Sequence, residues 1–180
     1  MRGSPITPEV LRALLQYDAD TGRMFWRVRG AEWFQTPIAA KRWNARYAAK
    51  EAFTYVGAQG YLRGAVLGQA ATAHRVAWAI VTGAWPDGEI DHINGGKTDN
   101  RLTNLREATA SQNQFNRGRP ASNTSGFKGV SLGKASKNYR ARIVVRGTTH
   151  DLGYHASADS AGAAYAKASA ELHGEFGRLS

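Results

Sequence analysis

The sequence predicts an α+β protein in which a strand, loop, strand and helix unit is followed by a three-stranded antiparallel sheet packed on one helix. Three observations carry that expectation. From Asn138 to Arg146 the residues alternate, with Tyr139, Ala141, Ile143 and Val145 on one face and mostly arginine on the other, the period of a half-buried strand. From Ser157 to His173 the period becomes helical: Ala161, Ala164, Tyr165, Ala168 and Leu172 make one stripe, Ser157 is an N-cap, Asp159 lies in the first turn and Gly174 terminates. Upstream, Glu89 to Ile93 reads as a short apolar strand. A polar, turn-forming loop, a short strand and the capping-box spacing of Thr109 and Gln112 come next, so a helix begins there and carries Asn113.

Composition bounds the rest. The 180 residues are 42% apolar and 21% charged, the balance of a soluble globular chain. Lys and Arg number 24 against 14 acids, a formal charge of +10, which points to a polyanionic partner with nucleic acid foremost. The absence of cysteine excludes disulfides, thiolate zinc sites and cysteine nucleophiles. No segment has the length of a membrane span, and the first residues lack the apolar core of a signal peptide, so a cytoplasmic location is expected, with no membrane partner.

In chain order, Pro8 to Tyr17 shows helical spacing in Val10, Leu11, Leu14 and Leu15, and Asp20-Thr21-Gly22 is a turn before the strand-like Met24-Phe25-Trp26. Trp33, Phe34, Trp43 and Tyr47 are expected as core aromatics, while Arg23, Arg27, Arg29, Lys41, Arg42 and Arg46 are available for phosphate contacts. Ala73 to Trp78 reads as a strand-like apolar stretch, which makes His74 a structural or DNA-facing residue. Domain boundaries are placed at an N-terminal accessory region (1–56), a chemical module (57–117), a basic linker (118–125) and a C-terminal binding module (126–180).

Charge is concentrated near the C-terminal module. Between Glu107 and Asp151 there is no acid, and Arg117, Arg119, Lys128, Lys134, Lys137, Arg140, Arg142 and Arg146 all fall there. Phe127 to Ser131 is expected as a first strand, and Gly147-Thr148 as the reversal into a third strand over Thr149 to Tyr154. One face of such a sheet is core and the other cationic, a surface suited to the DNA major groove. The motifs Ser125-Gly126-Phe127-Lys128-Gly129-Val130, Tyr139-Arg140-Ala141-Arg142-Ile143, Leu152-Gly153-Tyr154 and Leu172-His173-Gly174-Glu175-Phe176 resemble the ethylene-response-factor (APETALA-type) DNA-binding domain found in plant, phage and bacterial proteins. The resemblance implies that the sheet reads duplex DNA, with Lys128 at a basic contact position. Ser131, Val144 and Asp151 stand where that family has contact residues, so the plant target sequence does not carry over. Arg117-Gly118-Arg119-Pro120 reads either as a plain basic linker or as an AT-hook core.

Asp91 and His92 are the chemical centre. Asp91 and Asn113 offer hard oxygen ligands that suit Mg²⁺ or Mn²⁺, and the adjacent imidazole has the ordinary basicity needed to take a proton from water near neutral pH. The run from Glu89 to Asn113, with Asn100 and Asn104-Leu105 between, resembles the HNH endonuclease motif in the variant ending in asparagine. That resemblance extends through Gly60-Tyr61-Leu62, Ala73-His74-Arg75 and Gly83-Ala84-Trp85-Pro86, and it implies a ββα-metal nuclease module. By that resemblance His92 is the general base, Asp91 and Asn113 are metal ligands, and Asn104 is the central asparagine that holds the loop. Asn116 is a candidate for the metal shell or a phosphate, and either Arg101 or Arg106 is a candidate to neutralise the scissile phosphate.

The expectation is a metal-dependent endonuclease that nicks or cuts double-stranded DNA, of phage-type homing or free-standing kind, in a bacterial host or phage-encoded. It would use Mg²⁺ or Mn²⁺, with no structural zinc and no small-molecule cofactor. Its DNA contacts would be Arg117, Arg119, Lys128, Arg140, Arg142 and Arg146. The alternative is a sequence-specific DNA-binding regulator with an inactive nuclease module.

Overall fold

In the computed structural model, which describes residues 6–133 and 137–179, the chain divides into two units, Met1–Glu107 and Ala108–Ser180. Lys134, counted in the basic stretch, lies outside the described residues. The division falls inside the 57–117 stretch expected as one module, and the two units are taken in turn.

In the first unit Thr7 caps α1 (Pro8–Leu14) through its hydroxyl to Val10 N, with Pro8 at the first helical position, where its missing N–H costs nothing. The helix stops three residues short of the expected Tyr17. Leu15, Gln16 and Tyr17 extend instead as β1 (Leu15–Tyr17), paired antiparallel with β2 (Met24–Trp26). Pairing wins over helical spacing because Asp18 ties the intervening turn to Thr21 and brings Met24–Trp26 alongside. Gly22, at φ 71, lies so close to the Asn100–Arg101 backbone that a Cβ would overlap it.

A second helix, α2 (Pro37–Tyr47), is capped by Thr36 with Pro37 at its start. It leads to β3 (Glu51–Ala52), which completes the β1-β2-β3 sheet. Next come β4 (Tyr55–Val56), β5 (Leu62–Val66) and β6 (Gln69–Thr72) as an antiparallel meander. The Ala73–Trp78 stretch, expected as a strand, opens α3 (Ala73–Thr82), ended by Gly83 in a left-handed cap. Its buried Ala73, Val76 and Ala77 recur at three and four residues, so the apolar run is a helix packed on its core-facing stripe. Leu11, Leu14, Leu15, Met24, Val66 and Val76 form the heart of the core, each fully buried and worth roughly 1.5–3 kcal/mol. Trp26, Trp33 and Trp85 pack on its edge, whereas Phe34, Trp43 and Tyr47 stay outside it. β7 (Glu89–His92) pairs with β8 (Leu105–Ala108), which leads out of the unit.

The second unit begins with α4 (Ala110–Phe115), where the expected capping box forms: Thr109 Oγ1 accepts from Gln112 N, and the Gln112 side chain accepts from Thr109 N. Phe115 stacks on His173 at 3.8 Å. Within the expected linker, Asn123 and Ser125 already bind the Phe127 and Val130 carbonyls, so the chain is anchored from Asn123 onward.

The sheet is β11-β10-β9, with β9 (Val130–Leu132), β10 (Tyr139–Val145) and β11 (Thr148–His155) all antiparallel. β9 starts three residues later than expected. Gly129, at φ 71, sits against the Tyr165 ring where any Cβ would overlap it, and this breaks the strand before Val130. The reversal into β11 is Arg146-Gly147, both at positive φ, and Thr148 already pairs with Val145; a two-residue turn of this hand matches the strand twist. α5 (Ala158–Leu172), capped by Ser157 as expected, covers the sheet through Ala161, Tyr165 and Ala168 against Val130, Ala141 and Ile143. Gly162 and Ser169 share the buried face while Leu172 is exposed, so the stripe is rotated from the expected one.

Candidate active site

β7 delivers Asp91 and His92 side by side into the first unit, both more than nine-tenths buried. Adjacent residues on a strand point to opposite faces, and each side chain meets a different partner. Arg106 on β8 donates to Asp91 Oδ2 from both Nε, at 3.0 Å, and Nη2, at 2.9 Å. The other arginine left open by the sequence, Arg101, is exposed and pairs with half-buried Asp99. Of the two, Arg106 belongs to the site.

His92 Nε2 lies 3.1 Å from Asn100 Oδ1. Asn100 Nδ2 donates to Thr98 O, which orients the amide with its oxygen toward the imidazole, so Nε2 carries the proton and donates. The basic lone pair is therefore on Nδ1. Burial pushes the His92 imidazole below the ordinary histidine range, opposed by the Asn100 bond and by the Asp91 and Asp99 carboxylates. The ring is neutral at physiological pH. Asn100 is itself almost inaccessible, and its backbone carbonyl accepts the Tyr17 hydroxyl at 2.8 Å.

Asn104 lies between the two strands. Its Oδ1 accepts from Asn94 N at 2.9 Å and its Nδ2 donates to Asp99 O at 2.8 Å, while its carbonyl accepts Ile93 N. One side chain thus ties both ends of the 93–104 loop. Asn94 Oδ1 accepts Gly96 N inside it, and Gly95 at φ 71 makes the turn that follows His92.

Two residues that the HNH resemblance includes without a role, His74 and Tyr61, are neighbours of His92. His74, the second residue of α3, meets the His92 ring edge-on at 5.1 Å, and Tyr61 lies 4.8 Å from His74 and 5.7 Å from His92. His74 Nε2 contacts Thr72 Oγ1 at 3.2 Å, and its buried Nδ1 has no hydrogen-bond partner. Burial, with the nearby His92 and Arg75, lowers its pKa to about 3. Lys97 Nζ donates to Gln59 O and lies 5.0 Å from the Tyr61 ring. With Ala73 to Trp78 expected as a strand, periodicity does not link His74 to His92, eighteen positions further on; the helix and its packing do.

Asn113 belongs to the second unit, half-buried on α4, and Asn116 is buried at that helix's C-cap. Among the described residues no group of three or more His, Asp or Glu is placed to hold a metal ion. The donors present still fit a hard, substrate-completed ion: Mg²⁺ is commonly held through one or two carboxylates plus waters and phosphate oxygens, and Asp91 would supply the carboxylate.

The six expected DNA contacts have different surroundings. Arg117, Arg119, Arg142 and Arg146 are exposed. Arg140 pairs with Asp151 and covers the Tyr154 ring at 5.6 Å. Lys128 turns inward: its ammonium donates to Phe115 O and Arg178 O, and burial lowers its pKa to about 8. Two of its three donors are engaged within the unit.

Comparison with known proteins gives the family. An HNH endonuclease family model matches residues 71–115, the stretch that holds α3, His74, Asp91, His92, Asn104 and Asn113. Protein 3.8 of Escherichia phage T7 is 35% identical over 107 residues, 59% of this chain and 88% of that protein. A protein of Acanthamoeba polyphaga mimivirus named as an uncharacterized HNH endonuclease is 34% identical over 123 residues, 68% of this chain and 63% of its own length. No solved structure matches. The chain belongs to the family of phage T7 Protein 3.8 and carries an HNH endonuclease domain over residues 71–115.

Proposed function

We propose that the protein is a metal-dependent DNA endonuclease of phage-type homing or free-standing kind, which hydrolyses phosphodiester bonds in duplex DNA. The observation that carries the reading is His92: a desolvated, neutral imidazole next to a buried carboxylate, held by Asn100 through Nε2 so that Nδ1 is the basic atom. On this reading Nδ1 takes the proton of the attacking water as general base. Asp91 and Asn113 are the ion's protein ligands, Asn113 entering by motif spacing alone. When bound, Mg²⁺ or Mn²⁺ supplies charge stabilisation for the pentavalent phosphate and the leaving 3′ oxygen. Asn104 keeps the loop closed beneath β7, and Arg106 fixes the Asp91 carboxylate.

Residues 126–180 are assigned on this reading as an ethylene-response-factor-like DNA-binding unit. The exposed Arg142 and Arg146, with Arg140 over Tyr154, support it by presenting cations on the sheet surface that α5 leaves uncovered. Arg117 and Arg119 add phosphate contacts. A plasmid nicking assay with Mg²⁺ or Mn²⁺ tests the function: wild type nicks, His92→Ala does not, and both retain DNA binding. Intact DNA with wild type across metals and substrates would reject the nuclease and leave the regulator.

A further inference from the structure

Residues 23–50 make a second basic stretch, with seven Lys and Arg against one acid, Glu32. Most of these side chains are exposed, but Arg29 is only 7% exposed. A cation buried to that degree is ordinarily paired with a carboxylate, since its desolvation is otherwise uncompensated. Among the described residues Arg29 has no such partner: its Nε is without a hydrogen bond, and its guanidinium lies over Trp26 at 4.8 Å and Trp43 at 3.8 Å. Its position is nevertheless fixed. Asn44 on α2 accepts from Arg29 N and donates to Arg29 O, both at 2.9 Å, in the manner of a ladder pair.

The unsatisfied cation is on the wall of a pocket. Trp26, Arg29, Trp43 and Tyr47 line it on one side and the β5–β6 hairpin, from Ala65 to Gly68, on the other, around a volume of about 380 Å³. That is within the range of roughly 300–1,000 Å³ typical of small-ligand sites. Trp43 and Tyr47 lie outside the hydrophobic core and both line the pocket: Trp43, half-buried, packs against Phe34, Tyr47 and the Arg29 guanidinium, while Tyr47 is the exposed ring of the pair. A planar, fork-shaped cation next to aromatic rings meets the two parts of a nucleotide: guanidinium for phosphate, indole and phenol for a base.

We propose that this pocket binds one unstacked nucleotide of DNA, its base against Trp43 and Tyr47 and its phosphate on Arg29. The inference rests on the reading that DNA is the substrate. It assigns the Trp43-Asn44-Ala45-Arg46-Tyr47 segment a binding role: Asn44 sets the position of Arg29, Trp43 and Tyr47 stack, and Arg46, over the Tyr47 ring at 5.2 Å, extends the cationic rim. Unstacking by the enzyme, or a strand already single, supplies the nucleotide.

The test uses the full chain and a fluorescein-labelled oligothymidylate of about eight nucleotides, read by anisotropy against an abasic strand of the same length. Wild type is expected to bind the oligothymidylate about tenfold more tightly than the abasic strand. That preference falls to about one in Trp43→Leu and in Ala65→Glu, the latter placing a carboxylate at an exposed hairpin position where the core is untouched and the fold is kept. Thymidine monophosphate competes in wild type and inorganic phosphate does so more weakly. No base preference in wild type, or an unchanged preference in Ala65→Glu, would overturn the proposal, as would equal competition by phosphate, which marks an anion site only. Plasmid nicking measured in parallel keeps the two readings apart: nicking without base preference removes the pocket and leaves the nuclease. Base preference without nicking does the reverse.

Discussion

Replacing His74 with phenylalanine should make the first unit less sensitive to acid. In the folded protein His74 is buried against Tyr61 and His92, and its pKa is lowered from 6.5 to about 3, chiefly by desolvation. The unfolded chain takes up a proton as pH falls below about 6.5, while the folded chain does not until about 3. The folded pKa is the depressed one, so the contribution is fully present above 6.5 and is lost as pH falls through that window. At about 1.4 kcal/mol per pH unit, His74 alone removes roughly 2–3 kcal/mol between pH 6.5 and pH 4.5. His74→Phe keeps a ring against Tyr61 and His92, loses the Thr72 bond and removes the unpartnered Nδ1, for a net cost of about 1 kcal/mol near neutrality. The stability order should therefore cross, with wild type ahead at about pH 7.5 and the variant ahead by about 1–2 kcal/mol at about pH 4.5. Urea unfolding followed by tryptophan fluorescence reads this directly, since all five tryptophans lie within residues 1–107. His92 titrates in both proteins and cancels to first order in the difference. An equal gap at the two pH values would refute the desolvation argument.

Arg106→Ala leaves the Asp91 carboxylate buried without its cation and should cost about 3 kcal/mol or more in urea unfolding, with Arg106→Lys recovering part of it. Asn100→Ala frees the His92 ring from its orienting oxygen; nicking should fall about 10- to 100-fold with DNA affinity unchanged. Arg142→Ala combined with Arg146→Ala should reduce the salt dependence of DNA binding by about two counterions, whereas Lys128→Met, whose ammonium is tied to two carbonyls, should leave that slope unchanged. Gly129→Ala drives a methyl into the Tyr165 ring at a left-handed backbone position and should lower the midpoint of thermal unfolding.

The sequence made some of this legible and concealed the rest for identifiable reasons. Alternation in Tyr139 to Val145 and the Ser157 cap announce the sheet and its helix because period and cap are local. The register errors are tertiary. Phe127 to Gly129 fails as a strand because Tyr165, from a helix thirty-odd positions away, occupies the space a side chain would need. Leu15 to Tyr17 leaves its helix because Met24 to Trp26 pairs with it. At the site, Asp91 and His92 are legible as an adjacent carboxylate and imidazole and Asn104 through the HNH resemblance, and strand, loop and strand hold all three within one short stretch. Tyr61, His74 and Asn100 acquire their relation to His92 only through packing, and no periodicity encodes it.

Charge shows the same division between what a count reveals and what geometry decides. Eight basic residues between Glu107 and Asp151 read as one cationic surface, yet Lys128 is half-buried and tied to two carbonyls and Arg140 is paired with Asp151. Arg23 is likewise neutralised by Glu51, and Arg106 is committed to Asp91. Arg29 inverts the pattern, being buried and yet without a carboxylate or carbonyl partner for its side chain among the described residues. Since surface ion pairs contribute little and exposed arginines exchange solvent freely, the residue whose burial is offset only by ring faces, with no oxygen partner, is the one from which an incoming phosphate gains most. Removing Arg29 should therefore lower DNA affinity more than removing exposed Arg42 of the same stretch, measured at equal salt. Equal losses would mean that charge count, and not burial, governs binding in this region.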